Sequence, residues 1–213
     1  MSSRSVLALI ATIGVLSALP ANARAQSAAG KATAAIVNTP ATGSQTFAGV
    51  TLPDAGGMTS ADADAATVAN VLGADGLRSI ATGQLDDALA SVTASAETGN
   101  LNVLNGLITA KAVVALATSY ATGASASSEA NGSTLLALVV NGVAYDDGAP
   151  TPNTRINLPG VGYVLLNEQI AQGDGIHTST LTVNMIHVYL TDALTGSTTG
   201  EIIVGSAQSS ASR

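Results

Sequence analysis

The chain has no cysteine and no tryptophan, and only one phenylalanine and four tyrosines in 213 residues. Without cysteine it can have neither a disulfide framework nor a thiolate metal site. The absence also suits export into an oxidising space, where an unpaired thiol is a liability. With aromatics at 2%, the core has to be filled by small aliphatic side chains. Such chains favour thin, closely packed sheets over a bulky mixed core. Charge is scarce too: only seven residues are Lys or Arg, against fourteen Asp or Glu. Neutralising phosphates takes clustered basic side chains, so this balance argues against a nucleic-acid partner. It disfavours an anionic membrane surface for the same reason.

What is present is Ala, Gly, Ser, Thr and Val. At 46% hydrophobic residues the chain is too apolar for intrinsic disorder. Its length allows roughly 70% of the unfolded surface to be buried, in one domain by default.

Residues 1–25 read as a secretory signal. Arg4 supplies the positive end and VLALIATIGVLSAL the apolar centre; Pro20 then breaks the run. Ala21-Asn22-Ala23 and Ala23-Arg24-Ala25 are both small-x-small cleavage sites. The apolar centre is shorter than the roughly twenty residues a membrane span needs. No transmembrane segment is expected in the mature chain.

The mature chain is organised around residues 104–122, LNGLITAKAVVALATSYAT. At a period of two, Ile108, Ala110, Ala112, Val114, Leu116, Thr118 and Tyr120 share one face, apolar until its last turn. The other face is mixed and carries Lys111, which predicts one long strand with one side in a core. Asn105-Gly106 opens this strand and Gly123 closes it. Further strands are expected at 35–39, 46–52, 77–85, 89–96, 156–158, 163–170, 181–190 and 202–204. The apolar phase slips at Asn184-Met185, which implies a bulge. Asn141-Gly142 between the apolar runs 135–140 and 143–145 is the clearest hairpin signal. One short helix is predicted over 60–72, SADADAATVANVL, with Ser60 as cap and Asp62 and Asp64 in its first turn. Residues 26–34 read as a loose leader, 26–87 as leader plus first strands, 88–207 as the main β-domain and 208–213 as a frayed tail. Strand runs without βαβ alternation predict an all-β, mainly antiparallel β-sandwich-like domain, with a β-roll or solenoid as the alternative.

The blocks ASVTASAETGNLNVLNGLITAKAVVALATS, LALVVNGVAY, INLPGVGYVLLNEQ, LTVNMIHVYL and IIVGSAQS, in that order, resemble the bacterial choice-of-anchor P family. The resemblance covers roughly residues 90–209. It implies an exported surface protein with no established enzymatic activity and no catalytic residues to carry over. Leu158-Pro159-Gly160-Val161-Gly162 lacks the Thr of an LPxTG sorting motif and lies mid-chain, so covalent carboxy-terminal anchoring is not expected.

Few residues invite chemistry. His177 and His187 lie ten apart, without HExxH or other ligand spacing. His187, between Ile186 and Val188, reads as a half-buried or exposed strand residue, and His177 as a solvated turn residue. No GxSxG elbow marks a nucleophile. Asp146, Asp147 and Asp174 sit in Gly-containing loops that could offer oxygens to a weak Ca²⁺ site, but Asp and Gly are also ordinary turn formers. Asn167-Glu168-Gln169 could contact a ligand, or else tie a strand end to a neighbouring loop. Asn131-Gly132-Ser133 matches a glycosylation sequon. No catalytic, cofactor-binding or metal-binding residue is assigned. The expectation is a non-enzymatic, exported β-domain with a structural or adhesive role and an unidentified surface or matrix partner. A carbohydrate-binding module is the alternative. Mass spectrometry of the native protein should find a chain beginning near Arg24 or Gln26; an intact Met1 on a cytoplasmic protein would overturn the export reading.

Overall fold

The computed structural model describes residues 26–213; the expected signal segment, 1–25, lies outside the described residues. In chain order the strands are β1 (Ser27–Thr39), β2 (Gly43–Thr51), β3 (Gly57–Val68), β4 (Leu72–Leu85), β5 (Leu89–Val103), β6 (Ile108–Thr122), β7 (Ala126–Glu129), β8 (Thr134–Leu136), β9 (Val139–Val140), β10 (Val143–Ala144), β11 (Thr154–Leu158), β12 (Gly162–Gly173), β13 (Thr178–Thr191) and β14 (Thr198–Ser212). There is no helix among the described residues. Sheet A runs β11-β12-β13-β14-β1-β2, and sheet B runs β10-β9-β6-β5-β4-β3, with β7 and β8 also pairing β6. All pairings are antiparallel, and the two sheets pack face to face without closing into a barrel. The all-β, sandwich-like fold expected from the alternating runs is the fold observed.

The interior is graded. At one end Leu72, Leu101, Ile108, Leu138, Leu158, Leu166, Ile186 and Ile202 are buried, each worth about 1.5–3 kcal/mol in water-free surface. Towards the other end Ala28, Ala81, Ala90, Ala121 and Ala211 predominate, with Leu52 and Val92 among them, and Gly83 makes room for Leu52: a Cβ there would sit 2.4 Å from Leu52 Cδ2. There a buried serine chain replaces apolar bulk. Ser119 Oγ lies 2.8 Å from Ser209 Oγ in sheet A and 2.7 Å from Ser128 Oγ, which in turn lies 2.5 Å from Ser179 Oγ.

Between the two ends, both sheets reverse their inward-outward phase along a line crossing the strands. In β1 the inward residues are Ala28, Ala32 and Ala34, then Ala35 and Val37. In β5 they are Ala94, Ala96 and Thr98, then Leu101 and Val103. Ladder pairs are missing along this line: Ala34 pairs with neither Gly205 nor Ala48, and Met185 with neither Asn167 nor Gly205. In sheet B, Asn100 and Lys111 are likewise unpaired. Left-handed residues mark it: Ala48 (φ 47), Asn167 (φ 50) and Gly205 (φ 68) in sheet A, Gly76 (φ 57) and Asn100 (φ 44) in sheet B. The register is unchanged across this line except between β4 and β5, where it shifts around Asp75, so elsewhere it is a break in the ladder and not an inserted residue. The break interrupts the strict alternation of a pleated strand and leaves ladder groups without partners. The Ala34 carbonyl finds its partner in the opposite sheet, where the buried Thr98 hydroxyl donates to it at 3.1 Å.

Several expectations fail for related reasons. Residues 60–72 form no helix; 57–68 are β3, in which exposed Ser60, Asp62 and Asp64 alternate with half-buried Ala61 and Ala63. Alanine's helix propensity yields to cross-strand pairing with β4, and Arg78 Nε lies 3.5 Å from Asp62 across that pair. Residues 26–34 are no loose leader. Ser27–Thr39 is an interior strand of sheet A, with β14 on one side and β2 on the other. The tail is not frayed: β14 runs to Ser212, paired with both β1 and β13. Leader, domain and tail are therefore one sandwich, and a boundary at 87/88 would cut the β4–β5 hairpin. In β6 the expected face holds only for Ile108 and Ala110. Beyond Lys111 the buried series is Val113, Ala115, Ala117, Ser119 and Ala121, because the phase reversal swaps the faces. The Asn141-Gly142 hairpin is present, with two-residue arms. The phase slip at Asn184-Met185 is present too, but the bulge expected there is not: the β12–β13 and β13–β14 registers run through it unshifted.

Thr98→Val should destabilise the fold by about 1–3 kcal/mol in urea unfolding, because it orphans a buried carbonyl. Ser79→Ala should be neutral or stabilising, since the wholly buried Ser79 hydroxyl has no partner. Equal effects of the two changes would refute the cross-sheet role of Thr98.

Candidate functional site

The outer face of sheet A carries a dense polar and aromatic cluster. The phase reversal assembles it. In β13, Met185 and Ile186 both turn into the core, so Asn184 and His187, three apart, both come to the outer face. The same reversal at Asn167 in β12 puts Glu168 beside them, opposite Asn184 in the register. Tyr163 pairs Tyr189, and Tyr189 pairs Glu201 of β14.

Glu168 sits at the centre. Its Oε2 lies 2.7 Å from His187 Nδ1 and accepts a bond from Asn184 Nδ2 at 2.7 Å; its Oε1 accepts the Tyr189 hydroxyl at 2.9 Å. His187 Nε2 lies 3.1 Å from Glu201 Oε2. A neutral imidazole has one N–H, so only the imidazolium donates to both carboxylates. Ser206 in turn donates to Asn184 Oδ1 at 2.7 Å. The His187 and Glu168 side chains are 8% and 9% exposed, that of Glu201 36%. The rings cover the site: His187 stacks on Tyr189 at 3.9 Å, Tyr189 on Tyr163 at 4.7 Å, and the Arg155 guanidinium lies 3.8 Å over Tyr163. Tyr163 thus has a partner on each ring face.

Burial by itself raises the Glu168 carboxyl pKa, but the bonds from His187, Asn184 and Tyr189 outweigh it and hold the group at about 2. Burial, then the bond to the Glu168 carboxylate, pushes the Tyr189 hydroxyl well above its ordinary range. Both carboxylate oxygens of Glu168 are thus occupied by donors, which keep the group ionised at neutral pH.

The structure separates the other candidate residues. His177 is half-exposed, with Nδ1 3.0 Å from Asp174 Oδ2, in the turn between β12 and β13. Asp174 Oδ1 accepts backbone N–H groups of Thr178, His177 and Ile176, which hold its carboxyl well below the usual range. Asp86 and Asp192 close the β4–β5 and β13–β14 turns in the same way. Asp147 Oδ1 accepts the Ala137 amide at 2.7 Å, and Asp146 is exposed. Asp174 thus acts as a turn former, whereas Asp147 ties its loop to a residue ten positions earlier. Among the described residues no group of three or more His, Asp or Glu is placed to hold a metal ion. Asn167-Glu168-Gln169 lies mid-strand, not at a strand end. Asn167 Nδ2 does tie down a loop, donating to the Pro150 carbonyl at 2.7 Å, while Glu168 turns the other way into the cluster. Glu201, Asn184 and the tyrosines were not grouped by their spacing. The one signal available was the slip at Asn184-Met185. No family model, curated protein or solved structure matches the chain.

A carboxyl held at about 2 contributes stability that is complete above its ordinary value of 4.5 and is lost as pH falls from there through about 2. Glu168→Gln should therefore lower stability at pH 7 and flatten the urea-unfolding stability curve between pH 4.5 and 2. Turns held by Asp86, Asp174 and Asp192 are common to both proteins and cancel in the difference. Parallel curves for variant and wild type would show that the cluster is not what Glu168 stabilises.

Proposed function

We propose that the chain is an exported, non-catalytic β-sandwich of the choice-of-anchor P type, with a structural or adhesive role at or outside the cell surface. The observation that carries this reading is the saturation of Glu168 and His187 at the centre of the cluster. Both carboxylate oxygens of Glu168 and both ring nitrogens of His187 are engaged by neighbours in the fold. A general base or nucleophile needs a free atom within hydrogen-bond reach of a substrate, and a pKa suited to exchange near the working pH. Glu168 has neither. The export reading rests on the amino-terminal sequence, and the family assignment on the ordered sequence blocks from 90 to 209.

The second reading, a carbohydrate-binding module, has one observation in its favour: a cleft lined by amide side chains at the open side of sheet A. Stacking on Tyr163 does not favour it, because Arg155 and Tyr189 already occupy its faces.

The mature chain, incubated with a panel of ester, glycoside, peptide and phosphate substrates, should turn over none. A hydrolysis that disappears in both Glu168→Gln and His187→Gln, with folding intact by circular dichroism, would overturn the non-catalytic reading. Immunodetection on intact producing cells and in their medium should place the chain outside the membrane.

A further inference from the structure

Sheet A is wider than its cover. β12 continues to Gly173, but beside β6 sheet B is made of β7 to β10, none longer than four residues. Past the reversal at Asn167, the inner side of β12 therefore faces loops instead of a strand. A cleft of about 530 Å³ lies there, between the 129–133 turn, the 149–152 segment and the Asn167–Gln169 stretch of β12. That volume falls in the range of small-molecule sites, roughly 300–1,000 Å³.

Its walls are tied to both sheets. The Ser133 hydroxyl accepts the Leu116 amide at 2.9 Å and donates to the Leu116 carbonyl at 3.1 Å. On the other side Asn167 holds Pro150, the Asn153 amide donates to the Asn167 carbonyl at 2.9 Å, and the Gln169 amide donates to Asn153 Oδ1 at 3.0 Å. Walls fixed before binding reduce the ordering cost of association.

The lining mixes planar polar groups with apolar surface. Asn131 Nδ2 donates to Glu129 Oε2 at 2.7 Å, and Gln169 Nε2 donates to Asn167 Oδ1 at 3.0 Å. Each amide nitrogen spends one N–H there and keeps a second; Asn131 Oδ1, Gln169 Oε1 and Glu129 Oε1 keep acceptor capacity. Donors beside acceptors on rigid planes suit vicinal hydroxyls, each of which both gives and takes a hydrogen bond. Pro150, Pro152 and Ala130 add apolar surface for a ring's C–H face. The only charged lining residue is a carboxylate, which opposes phosphate, sulfate and uronate ligands.

We infer that this cleft binds a neutral saccharide of one or two rings, recognised by Asn131, Glu129 and Gln169. This rests on the carbohydrate-binding reading and gives it a place and a ligand class. The test titrates the mature chain by calorimetry and saturation-transfer NMR with glucose, galactose, mannose, N-acetylglucosamine and their β-1,4 dimers, and with glucuronic acid. At least one neutral sugar should bind saturably. Asn131→Ala, at an exposed position, should weaken that binding at least tenfold without shifting the thermal melt, and Gln169→Ala should weaken it at least tenfold as well. Glu129→Gln should admit glucuronic acid. A neutral sugar that binds wild type and both alanine variants alike would overturn the cleft and leave the carbohydrate reading standing. Binding of none of the neutral sugars would overturn both. Glucuronic acid bound by wild type as tightly as glucose would overturn the charge selectivity on which the ligand class depends.

Discussion

The fold turns on one problem, the backbone groups that the phase reversal leaves without ladder partners inside the sandwich. A strand that changes face midway must break its ladder at that point. An unpaired carbonyl between two sheets has no water to turn to. The Thr98 hydroxyl meets the Ala34 carbonyl across the gap, and left-handed residues absorb the turn of the chain at Ala48, Asn167 and Gly205. Gly205 also has to be glycine on packing grounds, since a Cβ there would lie 2.8 Å from Val113 Cγ1. A hydroxyl is small enough for a closely packed interior and still satisfies the backbone, which suits a chain so rich in Ser and Thr.

The reversal divides the sandwich into two differently packed halves. One is held by Leu and Ile side chains in the ordinary way. The other is filled mainly by alanine, and the Ser179–Ser128–Ser119–Ser209 chain links the sheets by hydrogen bonds. The same line of face reversal sets both surface features. It turns Asn184, His187 and Glu168 outward together, and it ends the contact between sheets A and B beside Asn167, where the cleft opens. Cluster and cleft thus lie on opposite sides of one strand, three consecutive residues of which serve both.

The cluster illustrates how a buried ionic group becomes structural. Glu168 is taken out of water, which alone would favour its neutral form, yet three donors keep it ionised. Removing one partner from such a set is costly, because the remaining charge stays buried. Stacked Tyr163, Tyr189 and His187 screen the group from solvent, so three of the chain's few rings serve to cover it. On this face of sheet A they take the place of a second layer.

Much was legible in the residues alone. Alternation of small apolar and polar residues requires a two-residue period, so strands over most of the chain, an antiparallel all-β class and the Asn141-Gly142 turn could be read directly. Asp and Gly at 146–148 and 173–175 read as turns for the same local reason. What could not be read was long-range. The 60–72 segment carries both a capping pattern and the S-A-D-A-D-A alternation, and only pairing with β4 decides between them. Residues 26–34 and 206–213 look like loose polar ends because Ala, Ser and Gly have little hydrophobic signal of their own. They become an interior strand pair because each satisfies the other's backbone, from opposite ends of the sequence. The face exchange in β6 and the meeting of Glu168, His187 and Glu201 depend on register, which a one-residue shift changes entirely. Local composition determined the period and the turns; the register and the face reversals, set by cross-strand pairing between distant residues, decided which side chains meet.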